Sequence, residues 1–239
     1  MEKNSFWGGV ILGISIGLGI TIAGLSISYS FYKTRGTERY VTVRGLAERN
    51  VYADFAIWPL SFNETGNNLA ELYKIVNIKR QTIKKFLIDS GFEDSEISFS
   101  TTSIRDTQAE PMYRMQQALP ENRYIAQQTV SLRTDKVSLV KQTMEKSSEL
   151  IGKGIVLVAE SYRTEFLFTG LNKIKPEMIS EATQNARKSA EQFAKDSGSK
   201  VGKIRNASQG LFTINVVERN SPEYKVVRVV TTTEYYIEN

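Results

Sequence analysis

The residues that could do chemistry in this chain are carboxylates, lysines, tyrosines and serines, because the sequence contains neither histidine nor cysteine. Without histidine there is no imidazole base, no Ser-His or Cys-His pair and no usual zinc ligand. Without cysteine there is no thiol nucleophile, thiolate metal site or disulfide framework. The densest group of acids is Asp89, Glu93, Asp94 and Glu96. Carboxylates can bind Ca²⁺ or act as acid and base, but this spacing matches no Ca²⁺ loop, and a polar helix-to-strand turn accounts for it better. Lys136, Lys141 and Lys153 have no neighbours in sequence that would lower an amine's pKa. No GxxxxGK[ST] occurs, and no GxGxxG follows a strand, so a phosphate cradle is absent from the pattern. The sequence points to no catalytic residue, no metal and no cofactor.

Net charge is +5, yet Lys and Arg alternate with acids, as in Glu71, Lys74, Lys79, Arg80, Lys84 and Lys85. Such interleaving reads as a solvated helix face and not as a nucleic-acid surface. Tyr52, Phe55, Trp58 and Phe62 fall on alternating faces of a strand-like run, which suits core and sheet surface better than a base-stacking platform. Arg228, between Val227 and Val229, reads as pointing to solvent or to a neighbouring subunit.

The elements that position these groups follow from periodicity. Trp7 to Ile27 is uncharged and rich in Ile, Leu, Val and Gly, and about 21 residues at 1.5 Å each would cross a bilayer core. The reading is therefore a single N-terminal transmembrane helix within residues 1–33, a linker at 34–38 and one folded domain at 39–239. An uncleaved anchor is favoured over a cleaved signal peptide because the apolar run is long. Gly9, Gly13 and Gly17, continued by Thr21, recur every fourth residue. That row reads equally as a helix-packing stripe or as a passive feature of the helix. Lys33, Arg35 and Arg39 favour a cytoplasmic domain, but that rule is weak for long domains, so charge leaves the side open.

In the domain, Arg39–Gly45 and Val51–Phe62 read as strands, with a turn after Gly45. Asn67 and Asn68 offer a cap to a long helix with Leu69, Leu72, Val76, Ile83, Phe86 and Leu87 on its apolar face, stopped by Gly91. Glu96–Asp106, Arg123–Arg133 and Ile155–Phe168 read as strands. A shorter helix runs from an Asp135 cap to about Leu150. A second long helix covers Lys175–Ser197, with Pro176 near its first turn and Ile179, Ala182, Ala186, Ala190, Phe193 and Ala194 as its buried stripe. Gly198 stops it, and Lys203–Glu218 and Tyr224–Ile237 close the chain as strands. The pattern predicts an α+β fold: a mixed β-sheet covered by two long helices and one shorter helix, preceded by the transmembrane helix. The similar helix ends Asp89-Ser90-Gly91 and Asp196-Ser197-Gly198 hint at two related halves. Pro111, Met112, Tyr113 and Met115 lie in a loop that suits either partner contact or packing on its own domain.

Several stretches, in order, resemble the bacterial SIMPL family. They are Val41-Thr42-Val43-Arg44-Gly45, Ala53-Asp54-Phe55-Ala56, Ser90-Gly91-Phe92 with Asp94-Ser95-Glu96-Ile97, and Pro111 and Tyr113 before Arg123-Tyr124. Phe166, Phe168, the alanine-spaced helix, Gly198 and Gly202 follow. The chain departs from the family in having Ala53 where Pro is common before Asp54, and Leu46 and Ala47 where a second glycine is frequent. The resemblance covers about residues 39–239. It implies an exported envelope protein linked to stress tolerance, some members forming homo-oligomeric rings or channel-like particles; it does not imply an enzyme, and an enzyme using carboxylate or Tyr chemistry is the third reading. The expectation is a single-pass inner-membrane protein with its large domain in the periplasm, self-associating or contacting another envelope protein, without nucleic acid.

Overall fold

The computed structural model describes residues 3–35, 39–109, 121–158 and 164–238. Helix α1 spans Lys3–Arg35, β1 Tyr40–Tyr52, β2 Phe55–Gly66 and α2 Leu69–Asp89. A 3₁₀ turn at Asp94–Glu96 leads to β3 Ile97–Phe99 and β4 Ser103–Asp106, followed by β5 Tyr124–Thr134. Then come α3 Val137–Lys146, α4 Glu149–Gly152, β6 Glu165–Leu167 and α5 Leu171–Asp196. The chain ends with β7 Lys200–Gln209, β8 Thr213–Glu218 and β9 Ser221–Glu238. It divides into two compact units, one holding 1–47, 179–211 and 229–239, the other 48–178 and 212–228.

The α+β content is as expected, but one mixed sheet is not what forms. Among the described residues there are two sheets, one of 4 strands in the order β1-β9-β7 with β8 paired to β9, and one of 5 in the order β3-β5-β2-β6 with β4 paired to β5. The pairs β2–β5, β2–β6, β3–β5, β4–β5, β7–β9 and β8–β9 are all antiparallel. Strand periodicity says which face is buried but not which strand is the partner, so the division into two sheets was not legible.

The transmembrane helix is the second correction. Among the described residues no helix is long and apolar enough to cross a membrane. In α1 the uncharged stretch Gly13–Tyr29 mixes large apolar residues with small ones. Gly, Ser or Thr stands at nearly every second position there, which dilutes its apolar surface. The single-pass inner-membrane placement, with the large domain in the periplasm, is withdrawn with it.

In the unit built on residues 48–178, β2 and β5 supply the floor of the core. Their register sets Trp58 opposite Leu132, Leu60 opposite Val130 and Phe62 opposite Gln128, and paired residues share a face. All six are buried. Helix α2 lays Leu72, Val76, Ile83, Phe86 and Leu87 into the same cluster, joined by Val137 and Val140 of α3. Leu69, expected on that face, is 45% exposed. Asn68 caps α2 as predicted, its side chain accepting from the Ala70 and Glu71 amides at 3.0 and 3.3 Å. Gly91 just beyond the helix has φ +103°, a conformation that disfavours any side chain. Buried Gln128 is satisfied by the Ser100 carbonyl at 2.9 Å and the Thr102 hydroxyl at 2.5 Å.

In the other unit, Ala182, Ala186, Ala190 and Ala194 are all buried. The reason for alanine is Gly45. This glycine does not precede a turn; it lies inside β1, and a Cβ added there would sit 1.8 Å from the Ala182 carbonyl oxygen and 2.3 Å from the Ala186 nitrogen. The helix backbone therefore rests directly on the strand backbone, an approach open only to glycine beneath and small side chains above. Asn185 ties the contact by donating to the Leu46 carbonyl at 2.8 Å. Phe193, expected in the buried stripe, is 53% exposed, and Pro176 lies inside α5 instead of at its first position. The stop at Gly198 holds, with φ +69°.

Gly45→Ala cannot be accommodated by a side-chain rotation, because both clashing atoms belong to backbone. It is expected to destabilise the protein by about 3 kcal/mol or more, or to prevent folding. Gly13→Ala, where an added Cβ meets nothing within 4 Å, should change stability by no more than about 0.5 kcal/mol. Urea denaturation of both variants checks this, and equal midpoints would contradict the packing described.

Candidate functional site

Two places within residues 48–178 and 212–228 bring chemically capable side chains together. The first is where α3 meets the start of β9. Glu223 is buried, and its Oε1 accepts from Lys141 Nζ at 2.9 Å, while Oε2 has no hydrogen-bond partner among the described residues. The hydrogen bond that Lys141 donates to Glu223 raises the Lys141 pKa further than burial lowers it. Two positions along, Lys225 is lowered, because burial penalises its charge more than Glu223 supports it. Tyr224 packs edge-on against Tyr52 with ring centroids 5.2 Å apart, and the Glu223 carbonyl accepts from the Ala53 amide at 2.8 Å. Beside these lies an open cleft of about 390 Å³ lined by Tyr52, Ala53, Asp135, Lys136, Val137, Ser138 and Leu139. Lys141 and Glu223 stand 82 positions apart, so no local signal could join them.

Next to Ala53, Asp54 receives the chain entering α5. Its carboxylate accepts from the Thr169 and Gly170 amides at 2.7 and 2.9 Å, satisfying donors ahead of a helix that would otherwise lack partners. Its own amide donates to the Leu167 carbonyl at 2.9 Å. The acid is a structural clasp.

The second place is the acid turn singled out in the sequence. Glu96 accepts from the Glu93 amide at 2.7 Å, the Thr134 hydroxyl at 2.5 Å and Lys136 Nζ at 3.2 Å. Burial pushes the Glu96 carboxyl up, but these three donors together outweigh it and hold the group below its ordinary value. Glu93 lies 3.7 Å from Lys136, and Asp94 pairs with Lys84. Thr134 and Glu96 form a hydroxyl–carboxylate pair, yet Thr134 is 2% exposed and its oxygen also accepts from the Lys136 amide. A substrate atom has no approach to it. The turn is a brace between the end of β5 and the 3₁₀ turn. Asp135, expected to cap α3, instead offers its backbone carbonyl to the Val137 amide at 2.9 Å.

The glycine row Gly9, Gly13, Gly17 and Thr21 lies in α1. Added Cβ atoms at Gly13 and Gly17 would meet nothing within 4 Å, and Thr21 donates to the Gly17 and Leu18 carbonyls at 2.9 Å. The loop residues Pro111, Met112, Tyr113 and Met115 fall outside the described residues. Arg228 is exposed as read from sequence, with Glu48 Oε1 3.4 Å away.

What sequence reasoning missed is a surface. Every residue of β8 is exposed, although Thr213-Ile214-Asn215-Val216 alternates polar and apolar as a half-buried strand does. Leu211 before it is 90% exposed, and Ile214, Val216 and Val217 are 37, 43 and 52% exposed. The alternation was the available signal, hidden because Lys203–Glu218 reads as one continuous strand.

Two antiparallel-paired sheets with long helices define an α+β protein. The SIMPL family, described as a protein of unknown function (DUF541), matches residues 41–232, and the chain belongs to that family. A search of curated proteins finds no match.

Lys141→Met leaves the Glu223 carboxylate buried without its cation and is expected to cost about 2 kcal/mol at pH 7, less than a fully buried pair because Lys141 keeps 36% of its side chain exposed. Adding Glu223→Gln should restore most of the loss. Glu96 supplies the pH dependence. Its lowered pKa means its contribution is present above the ordinary carboxylate value and is lost as pH falls through the folded one. Thermal melts of Glu96→Gln should therefore fall less steeply between about pH 5 and 3 than those of the parent. Parallel curves would show that the network carries no linkage.

Proposed function

We propose that this SIMPL-family protein acts by binding and scaffolding, through association with further copies of itself, and that it performs no catalysis. The proposal carries over, from the resemblance alone, a role in envelope or oxidative-stress tolerance. The observation that carries the reading is the exposed apolar strand β8 with Leu211 beside it. A contiguous apolar segment left in water is what an association surface requires. The chemistry of the chain supports it from the other side. Lys141 and Glu223 neutralise each other, the acid turn is braced by Lys84 and Lys136, and Asp54 is engaged by two amides. Each of these groups has structural work to do.

Size-exclusion chromatography with light scattering on the full chain tests the reading. The mass of the main species should be a multiple of 27.0 kDa at micromolar concentration and should decline on dilution. A mass of one chain at every concentration would contradict self-association and favour a monomeric module for another protein.

A further inference from the structure

Arginines in this chain are commonly matched to acids. Arg49, Arg123, Arg187, Arg205 and Arg228 each lie within 3.4 Å of a carboxylate oxygen. Arg80 of α2 is half-buried, yet among the described residues it pairs with no carboxylate. Its guanidinium lies 4.7 Å from the centre of the Phe99 ring in β3. A contact with the face of a ring uses the charge of the guanidinium and leaves its N–H donors unspent. Its Nε is closed off from solvent and has no hydrogen-bond partner. Donors left unmet on a partly buried side chain call for a partner.

Lys84, one turn further along and so on the same helix face, has its Nζ 5.9 Å from the centre of the same ring. Two cations therefore converge on Phe99. Asp94 pairs with Lys84, which leaves one positive charge at the site unmatched. The ring itself is fixed: Phe99 packs against the core cluster and stands opposite buried Val130 of β5. Arg80 is thus held in place without spending its donors, and a ligand need not order it. We propose that Arg80, with Lys84 beside it, is a receptor for a carboxylate group. With Nε sealed, the two terminal nitrogens of Arg80 remain for an end-on approach. A planar carboxylate accepts two parallel N–H bonds from such a fork, and its single negative charge equals the charge left unmatched. A free small acid and the acidic side chain of a peptide offer the same group.

Nothing in this site involves β8, so it stands or falls apart from the self-association reading. Proton–nitrogen NMR of the full chain tests it, with sodium acetate, or the blocked tripeptide acetyl-Ala-Glu-Ala-amide, replacing sodium chloride at fixed ionic strength. The Arg80 Nε–H resonance and the Phe99 backbone amide should shift along one saturable curve. Lys84→Gln removes the second cation and should raise the half-saturating concentration by about threefold. Arg80→Lys keeps the charge and the fold but loses the fork, and should abolish saturation at the Phe99 amide. Arg44→Lys, at an exposed position of β1, should leave the curve unchanged. A tripeptide that half-saturates below acetate identifies a peptide acid as the source, and one that does not identifies the free acid. Shifts that stay linear with both probes, or an Arg80→Lys variant that saturates as the parent does, would overturn the receptor.

Discussion

The contact between the α5 backbone and Gly45 sets the terms for the unit that contains it. Helices normally stand off a sheet by the thickness of two layers of side chains. Here the Ala182 carbonyl and Ala186 amide lie where a Cβ of residue 45 would be, so the gap is closed by backbone. Everything along the helix must respect that approach: Ala190 and Ala194 continue the buried row, and larger residues such as Phe193 are turned outward. Alanines bury little area each, so the gain comes from close packing over the whole stripe instead of from any one large side chain. Such a contact tolerates no enlargement on the strand side.

The second unit is held differently. Its core is built from large side chains, Trp58, Leu60, Phe62, Ile83, Phe86 and Leu132, all buried in one cluster. Polar groups at its margins are matched in pairs: Arg123 clasps Asp106 through two nitrogens and holds that carboxyl below its usual range, Lys79 bridges Glu64 and the Gly154 carbonyl, and Lys141 meets Glu223. Exposed pairs of this kind add little stability singly. Their consequence is specificity of placement, since each joins segments far apart in sequence. Among the described residues these charges are engaged with one another.

Local signals were legible and long-range ones were not. Asn68 and the glycines at 91 and 198 announced helix limits because capping and positive φ are decided within a few residues. The alanine row announced a close approach but not its partner, since Gly45 reads equally well as a turn residue. Ile155–Phe168 looked like a strand from its composition, yet among its described residues only Glu165–Leu167 pairs as one, with Leu157 making an isolated bridge to Phe62. Pro176 stands well inside α5, which starts at Leu171 and not at the predicted Lys175. The acid turn was recognised as polar, but its partners Thr134 and Lys136 are brought in by folding. The exposed β8 was missed for the opposite reason: its pattern is that of a half-buried strand, and only the structure reveals that nothing in the chain covers it among the described residues.

That mismatch between pattern and exposure is the centre of the functional account. A strand patterned for half-burial and left exposed is the surface on which the proposed association rests. Hydrogen exchange of its backbone amides, followed by mass spectrometry as a function of protein concentration, reports on this most directly. Unpaired edge amides of Thr213–Val217 should exchange quickly in dilute protein and become protected as concentration rises, while those of β7 stay unchanged. Protection of β8 that is independent of concentration, or that never appears, would contradict the account.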